Sequence, residues 1–457
     1  MTASERVAAF AVSLCAADVP AGVVEAAKLH ALDTLGCGIA AAALGESPYA
    51  AASALEVAGR GPATAIGVAE PLSPSDAAFV NGTLCHALDF DDTHPHSIVH
   101  VSASVVPAAL AAGQAAGVTG ADLVAALVAG SETSTRLGMA AGGAFHARGF
   151  HPTGVCGVFG ATVTAARLRG LDEAQTANAL GLAGSLASGL LEFLADGSET
   201  KRLHPGFAAQ AGLQAARLAA HGATGPRTVF EGRFGVFNAY LHGVQADVEA
   251  EFADLGERWE TPRIAFKPYP ACHYVHAPVD AFAQVIREHG LGVDDVAGVV
   301  AQSDVTGESL VLAPLEDKLR PRTVYDAKFS LPYCLAALLV NGRLDVTSFT
   351  PAAIADPAVL EVASGVTYEV KEYAPAPDAF SGGVRVLTRD GRTLEAELRH
   401  QRGGTENPLT VGDVVDKYRS NARLGLDDAD VARLESVVLA LEGARDLGWV
   451  EALGRVG

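Results

Sequence analysis

Long segments of small apolar residues constrain the fold of this chain more than any other feature. Residues 102–117 and 121–142 are rich in Ala, Gly, Leu and Val, and their apolar patterning favours helices. Hydrophobic residues make up 49% of the chain, aromatic residues only 6%, and there are 49 glycines, so such helices can pack closely together. We therefore predict a mainly α fold.

The second part of the chain has a different pattern. From about residue 262, short β-prone segments alternate with helices, and the stretch Arg389-Asp390-Gly391-Arg392 indicates a hairpin. The predicted strands are 296–304, 366–372, 384–388 and 393–399. A chain of 457 residues usually forms more than one core. We predict a large all-helical domain formed by residues 1–264 and 401–457, and a smaller inserted α+β lid domain formed by residues 265–400.

Composition and charge exclude several classes of protein. The net charge of −20, without a long basic run, argues against nucleic-acid binding. Six widely separated cysteines provide no Cys-x-x-Cys pair, which leaves only a cluster assembled from distant cysteines as an open alternative to buried, reduced thiols. A charged or His residue interrupts each apolar stretch before about 18 residues, and no signal peptide is visible, so we expect a soluble cytoplasmic protein without a membrane span.

Residues 81–107 contain the densest group of polar and titratable side chains. The group is Asp89, Asp91, Asp92, Thr93, His94, His96 and His100, which fall within twelve positions between two apolar helical segments. Three interpretations stay open at this point. The group could be a solvated loop or helix cap, as Ser102 would be. It could hold a divalent metal through carboxylate and imidazole ligands, or it could perform acid–base catalysis, for which His and Asp are the usual proton carriers.

Three further polar segments each stand at the predicted start of a helix. In Gly149-Phe-His-Pro-Thr-Gly154, Pro152 places His151 just outside a helix, where backbone N–H groups favour anions. Lys201 and Arg202 precede a helix predicted to begin at Phe207 and could meet a carboxylate, or they could form an ordinary solvated pair. His151 could equally be a buried imidazole bonded to the backbone. The third segment, after Lys267, carries His273 and His276.

Taken together, five motifs in order resemble the MmgE/PrpD family, which includes 2-methylcitrate dehydratase, cis-aconitate decarboxylase and iminodisuccinate epimerase. The motifs are His86-Ala-Leu-Asp-Phe-Asp-Asp-Thr-His94, Gly149-Phe-His-Pro-Thr-Gly154, Lys201-Arg-Leu-His-Pro-Gly206, Lys267-Pro-Tyr-Pro-Ala-Cys272 with His276, and Phe329-Ser-Leu-Pro-Tyr333. The resemblance implies an all-helical large domain, an α+β lid, a homodimer, and catalysis without a metal or organic cofactor.

The resemblance also implies roles for individual residues. The residues that match the catalytic positions of the family are Asp89, His100, His151, Lys201 and His276. The residues that match its substrate-binding positions are Thr93, Arg202, Lys267 and Tyr333. Relatives commonly have His-Pro-Ser shortly after Asp-Asp-Thr, whereas this chain has Pro95-His-Ser-Ile-Val followed by His100-Val-Ser-Ala, so either His96 or His100 takes the cluster role.

The function that we predict is a cofactor-independent lyase acting on a small di- or tricarboxylic acid. The reaction is a dehydratase reaction of the 2-methylcitrate or citrate type, or a decarboxylation of the cis-aconitate type, by proton transfer at a carbon next to a carboxylate. The alternatives are an isomerase that epimerises an imino- or amino-dicarboxylate such as iminodisuccinate, and a non-catalytic binding protein. In this hypothesis His100 and His151 form the acid–base pair, Asp89 orients a His, and Lys201 binds the carboxylate beside the reacting carbon. Thr93 hydrogen-bonds a carboxylate, and His276 arrives from the lid on closure.

Overall fold

The computed structural model describes residues 1–57, 60–244, 246–373 and 379–457. The chain divides into two compact units, unit 1 (Met1–Phe266 with Thr410–Gly457) and unit 2 (Lys267–Leu409). Helices predominate in the described residues and the sheet is small, which confirms the mainly α prediction. None of the described helices combines the length and the apolar character that crossing a bilayer requires.

In its described residues, unit 1 is built from helices together with a short strand, β1 (Arg60–Ala63). Its first helices are α1 (Ala3–Ser13), α2 (Ala21–Ala43), α3 (Pro48–Val57), α4 (Pro74–Ala87), α5 (Ser102–Ala116), α6 (Gly120–Ala140), α7 (Ala144–Ala147) and α8 (Pro152–Leu168). They are followed by α9 (Glu173–Ala183), α10 (Thr200–Ala220), α11 (Val236–Leu241) and α12 (Val248–Glu251). After unit 2, the chain returns with α20 (Val411–Ala422) and α21 (Asp428–Leu439).

Two features of packing organise unit 1. Helix α8 is buried on every side, with only Arg167 partly exposed, and α5, α6, α9 and α10 surround it, so it is the central helix of the unit. Helices α4 and α10 cross at Gly82 and Gly206, where a Cβ added to Gly82 would lie 2.8 Å from the Gly206 Cα. Because neither residue has a side chain, the two backbones approach closely, and the C-terminal end of α4 lies beside the first turn of α10.

Unit 2 has its own hydrophobic core between helices and a four-stranded sheet. Its helices are α13 (His273–His289), α14 (Val305–Gly307), α15 (Leu315–Leu319), α16 (Val324–Lys328), α17 (Leu331–Asn341), α18 (Pro351–Ile354) and α19 (Pro357–Ser364), with a π-helical turn at Glu308–Leu312. Its strands are β2 (Val296–Ser303), β3 (Val366–Val370), β4 (Gly382–Thr388) and β5 (Thr393–Leu398). The sheet order is β3-β2-β4-β5, with β2 parallel to β3 and the other pairs antiparallel.

Helix α13 packs against β4 and β5 and contributes the apolar side of its surface to this core. The predicted hairpin at 384–399 is confirmed as the antiparallel pair β4 and β5.

One sequence-based helix boundary is wrong. The helix predicted to begin at Phe207 begins at Thr200, because α10 continues through Pro205 and loses only the hydrogen bond that proline cannot donate. This correction moves Lys201 from a loop into the first turn of α10.

Candidate active site

The loop that joins α4 to α5, residues 88–101, is buried rather than solvated. Asp89, Asp91, Asp92 and Thr93 are all nearly inaccessible to solvent. The loop turns sharply at Asp89, whose φ of 53° lies in the left-handed region that few non-glycine residues adopt. Asp92 fits the capping interpretation, because its Oδ1 accepts a hydrogen bond from the Ser102 N–H at the start of α5. The remaining carboxylates and imidazoles need another explanation.

Asp89 and Lys201 form a buried ion pair in unit 1. Lys201 Nζ lies 2.9 Å from Asp89 Oδ1, and the two side chains are 12% and 6% exposed. The close crossing of α4 and α10 at Gly82 and Gly206 accounts for this contact, since Asp89 follows α4 and Lys201 opens α10. The Lys201 cation is therefore held at the edge of the loop in a chain whose overall charge is strongly negative.

Asp91 connects two imidazoles. Its Oδ2 lies 2.8 Å from His86 Nδ1 and 3.2 Å from His100 Nδ1. The Thr93 hydroxyl is 3.1 Å from the same His100 nitrogen, and the His100 backbone N–H donates to the Thr153 hydroxyl. Asp91 is thus a carboxylate in contact with His100, and no orienting role for it was predicted from the sequence.

His151 occupies the N-cap position of α8 and faces the same group of rings. Its ring centroid lies 5.7 Å from that of His86 and 6.2 Å from that of His100. Its Nδ1 is 2.9 Å from His204 Nδ1, so one of these two nitrogens donates and the other accepts. We refer to His86, His100, His151 and His204 as the imidazole cluster. Ring nitrogens of the first three lie within 4.8 Å of one another and are close enough to hold a metal ion.

Burial and neighbouring charges shift the pKa values in this cluster. Burial lowers the pKa of His86 to about 4, against the opposing effect of Asp91, and it lowers the pKa of His204 to about 4 as well. Burial and then the neighbouring rings and Lys201 hold the pKa of His151 well below its usual value. Burial alone would raise the pKa of Asp91, but His86 and His100 lower it well below its ordinary range. Near neutral pH, His86, His151 and His204 are neutral and Asp91 is an anion.

A second ionic group lies on the other side of the loop. Lys417 of α20 is 2.7 Å from Asp33 Oδ1, donates to the Phe90 carbonyl, and has its Nζ 3.8 Å from the centre of the Phe90 ring. His30 Nδ1 is 2.8 Å from Asp92 Oδ2. Since Phe90 lies between the two acidic residues of the site, Lys417 fixes the backbone that carries both Asp89 and Asp91.

The far end of the loop is attached to the segment around residue 260. The Glu132 carboxylate accepts hydrogen bonds from the Glu260 and Thr261 backbone N–H groups and from the Thr261 hydroxyl. Glu260 lies 3.3 Å from His94 Nε2, and Thr93 exchanges backbone hydrogen bonds with Ala265. This anchoring keeps Thr93 in contact with His100.

The other predicted site residues have varied surroundings. Arg202 pairs with Glu46 and Glu199 in unit 1. His96 is partly exposed, with its ring 6.0 Å from that of His94, whereas His100 is buried and contacts Asp91. In unit 2, Lys267 and His276 are buried, and His276 Nε2 lies 3.1 Å from the Ala271 carbonyl. The Tyr333 hydroxyl donates to the Ser348 carbonyl within the core of that unit.

Four residues of this site were not predicted from the sequence. His86 stands inside an apolar helix, where a satisfied core His is the usual interpretation, although Asp91 follows it by five positions. His204 was visible in the Lys-Arg-Leu-His motif, but its contact with His151 joins positions far apart in the chain. Asp33 and Lys417 are also distant in sequence, and only an aspartate in an apolar helix hinted that a buried cation was required.

Comparison with known proteins agrees with this arrangement. The MmgE/PrpD N-terminal domain matches residues 5–249, and the MmgE/PrpD C-terminal domain matches residues 269–443. A cis-aconitate decarboxylase-like protein, oryM, of Aspergillus oryzae is 29% identical over 95% of this chain and 94% of its own length. A cis-aconitate decarboxylase of Aspergillus terreus is 28% identical over 96% and 93%, and that of Homo sapiens is 31% identical over 84% and 79%. The chain belongs to the MmgE/PrpD family.

Proposed function

We propose that this chain is a lyase that removes carbon dioxide from a small unsaturated di- or tricarboxylic acid of the cis-aconitate type, by proton transfer at a carbon next to a carboxylate. The observation that carries the proposal is that the Lys201 ammonium and several imidazoles lie near one another in unit 1. Lys201 is close enough to His86, His151 and His204 to lower the pKa of each. The names of the similar proteins favour decarboxylation over the dehydration and epimerisation also expected from the sequence.

Recognition of the substrate follows from the local charge. The chain carries a net charge of −20, so an anionic substrate needs a local source of positive charge. Lys201 provides a fixed cation, and the N-terminus of the 17-residue helix α8 beside His151 provides a favourable dipole. The Thr93 hydroxyl can donate to a second carboxylate. A bound polyanion also raises the pKa of nearby imidazoles, which prepares one of them to act as an acid.

The chemical step requires one proton donor and one stabilising cation. When the bond to the departing carboxylate breaks, carbon dioxide leaves and the electron pair stays on the substrate, where the double bond and a remaining carboxylate delocalise it. An imidazolium N–H of His100 or His151 then donates its proton to carbon and becomes a neutral imidazole. That imidazole regains a proton from water. Lys201 stabilises the negative charge while it is present.

Asp91 and Asp89 have separate roles in this proposal. Asp91 orients His86 and His100 and stabilises His100 when it is protonated, as a carboxylate does for an imidazolium. Asp89 holds the Lys201 ammonium in place. His276, Lys267, Tyr333 and Arg202 enter the proposal through the family resemblance alone, with His276 as a further proton carrier from unit 2.

The test is a substrate panel followed by NMR. Purified protein is incubated with cis-aconitate, citrate, 2-methylcitrate and iminodisuccinate, and each reaction is compared with Lys201→Ala and with Lys371→Ala, which removes a lysine from the exposed pair with Glu397 in unit 2. We expect loss of carbon dioxide from cis-aconitate in the wild type and in Lys371→Ala, and almost none in Lys201→Ala. Water loss from a citrate would assign dehydration instead, inversion of iminodisuccinate would assign epimerisation, and no reaction with any acid would overturn the proposal.

A further inference from the structure

We propose that His86, His100 and His151 form a site for one divalent first-row metal ion, with Zn²⁺ as the expected occupant, and that the bound ion inhibits the enzyme. One ring nitrogen from each residue lies within 4.8 Å of those from the other two, and all three residues are buried. Imidazole nitrogens are ligands that Zn²⁺, Cu²⁺ and Ni²⁺ prefer. Three protein ligands with one open position is also the usual composition of a reactive zinc site.

The contacts of the three rings leave a suitable nitrogen on each. The Nδ1 atom of His86 is held by Asp91, that of His100 by Asp91 and Thr93, and that of His151 by His204. In metal sites the second ring nitrogen commonly bonds to a carboxylate or another polar group, which fixes the ring and strengthens the ligand. Each ring therefore keeps a second nitrogen, Nε2, that these contacts do not use. For His86 this atom is fully buried and has no hydrogen-bond partner among the described residues.

The geometry requires only a small adjustment. Zinc–nitrogen bonds of about 2.0–2.1 Å in a tetrahedral site place the ligand nitrogens about 3.4 Å apart. The ring nitrogens that lie within 4.8 Å of one another, one from each residue, must then approach by about 1.4 Å at most.

The charges around the site also favour a cation. The Asp91 carboxylate lies 2.8 Å from His86 Nδ1 and 3.2 Å from His100 Nδ1, in direct contact with two of the three rings. Lys201 opposes a second cation, but its ammonium is paired with Asp89. The positive charge of the ion is thus balanced by a carboxylate that already holds two of its ligands.

Inhibition follows from which atoms the ion occupies. A ring nitrogen that coordinates a metal has no lone pair or proton to exchange with a substrate carbon, so His100 and His151 lose their acid–base capacity. This second part of the inference rests on the proposed function. Binding of the ion does not rest on it, and the two parts can therefore be tested separately.

Binding is measured without any carboxylic acid present. Protein freed of metal by dialysis against a chelator is titrated with Zn²⁺ by calorimetry and with Co²⁺ by visible absorption. We expect one ion per chain and a tetrahedral Co²⁺ spectrum. His86→Gln should weaken the affinity by about 100-fold or more, since loss of an outer partner alone costs 10–100-fold. His221→Gln, which changes an exposed imidazole at the end of α10, is the matched control and should bind as the wild type does.

Several outcomes distinguish the two parts. If His86→Gln does not fold, as judged by tryptophan fluorescence and circular dichroism, His151→Gln replaces it with the same expectation. Absence of stoichiometric binding by the wild type, or affinity unchanged in these variants, overturns the metal site. Binding with full turnover of cis-aconitate, or turnover that rises with Zn²⁺, overturns the inhibition. Binding by a protein that turns over none of the acids supports the site and overturns the proposed function instead.

Discussion

Replacing Lys417 with Met should reduce the free energy of unfolding of unit 1 by about 3–5 kcal/mol, the usual cost of breaking a buried ion pair by removing one partner. The Lys417 side chain is 7% exposed and Asp33 is fully buried, with 2.7 Å between Nζ and Oδ1. Methionine has a similar length, so the substitution removes charge rather than volume. Asp33 is then left as a buried carboxylate without its cation, and the Phe90 carbonyl and ring lose their contact with the ammonium.

The assay uses the two tryptophans, Trp259 and Trp449, which both belong to unit 1 and therefore report its unfolding in urea. The matched control is Lys28→Met, because Lys28 pairs with Glu442, whose side chain is 49% exposed; this change should cost no more than about 1 kcal/mol. Adding Asp33→Asn to Lys417→Met removes both charges, so the double variant should be more stable than Lys417→Met alone.

A loss of less than about 1 kcal/mol in Lys417→Met would refute this reasoning, as would a double variant that is no more stable than the single one. The same variants report on the site. Because Lys417 holds the carbonyl between Asp89 and Asp91, turnover should fall in Lys417→Met even where the protein is fully folded. Lys28→Met should keep wild-type turnover.

Three other predictions concern the site and its support. Lys201→Ala should lower turnover by about 100-fold or more, the scale of losing one electrostatic stabiliser, and steady-state kinetics on folded protein checks this. Between about pH 6.5 and 4 the free energy of unfolding should fall as the pH falls, because the folded pKa of His86, about 4, lies below its unfolded value of 6.5 and the unfolded chain binds more protons. His86 contributes about 3 kcal/mol to this loss, and urea unfolding of His86→Gln over the same pH range should lack that contribution. Gly82→Ala should destabilise unit 1 by about 1–3 kcal/mol, because its Cβ would meet the Gly206 backbone at 2.8 Å, whereas Gly22→Ala, with no atom within 4 Å, should cost nothing in the same urea assay.

The main helices and the hairpin could be predicted from the sequence because their signals are local. Apolar segments that end at short polar segments indicate α5, α6 and α8. Asp390-Gly391 indicates the turn between β4 and β5. The start of α10 could not be predicted in the same way. Proline is a local signal for a boundary, but packing of α10 against α4 and α8 outweighs the loss of one hydrogen bond at Pro205.

The site residues also differ in whether a local sequence signal indicates them. The acidic and His-rich loop was visible because its members are neighbours in sequence, and His151 and Lys201 were visible through the motifs that contain them. The side chains that contact these residues and shift their pKa values could not be predicted from the sequence. The contact of His151 with His204 and the contact of Asp91 with His100 depend on the three-dimensional course of α8, α10 and the loop.

The measurement that tests the central claim most directly is the reaction of cis-aconitate in deuterated water, with the product examined by proton and carbon NMR. If an imidazole of the cluster protonates the substrate carbon after carbon dioxide has left, each product molecule gains one deuterium at that carbon. The rate of product formation should also be far lower in Lys201→Ala than in the wild type. A product without deuterium at that carbon, or equal rates in the wild type and Lys201→Ala, would contradict the account.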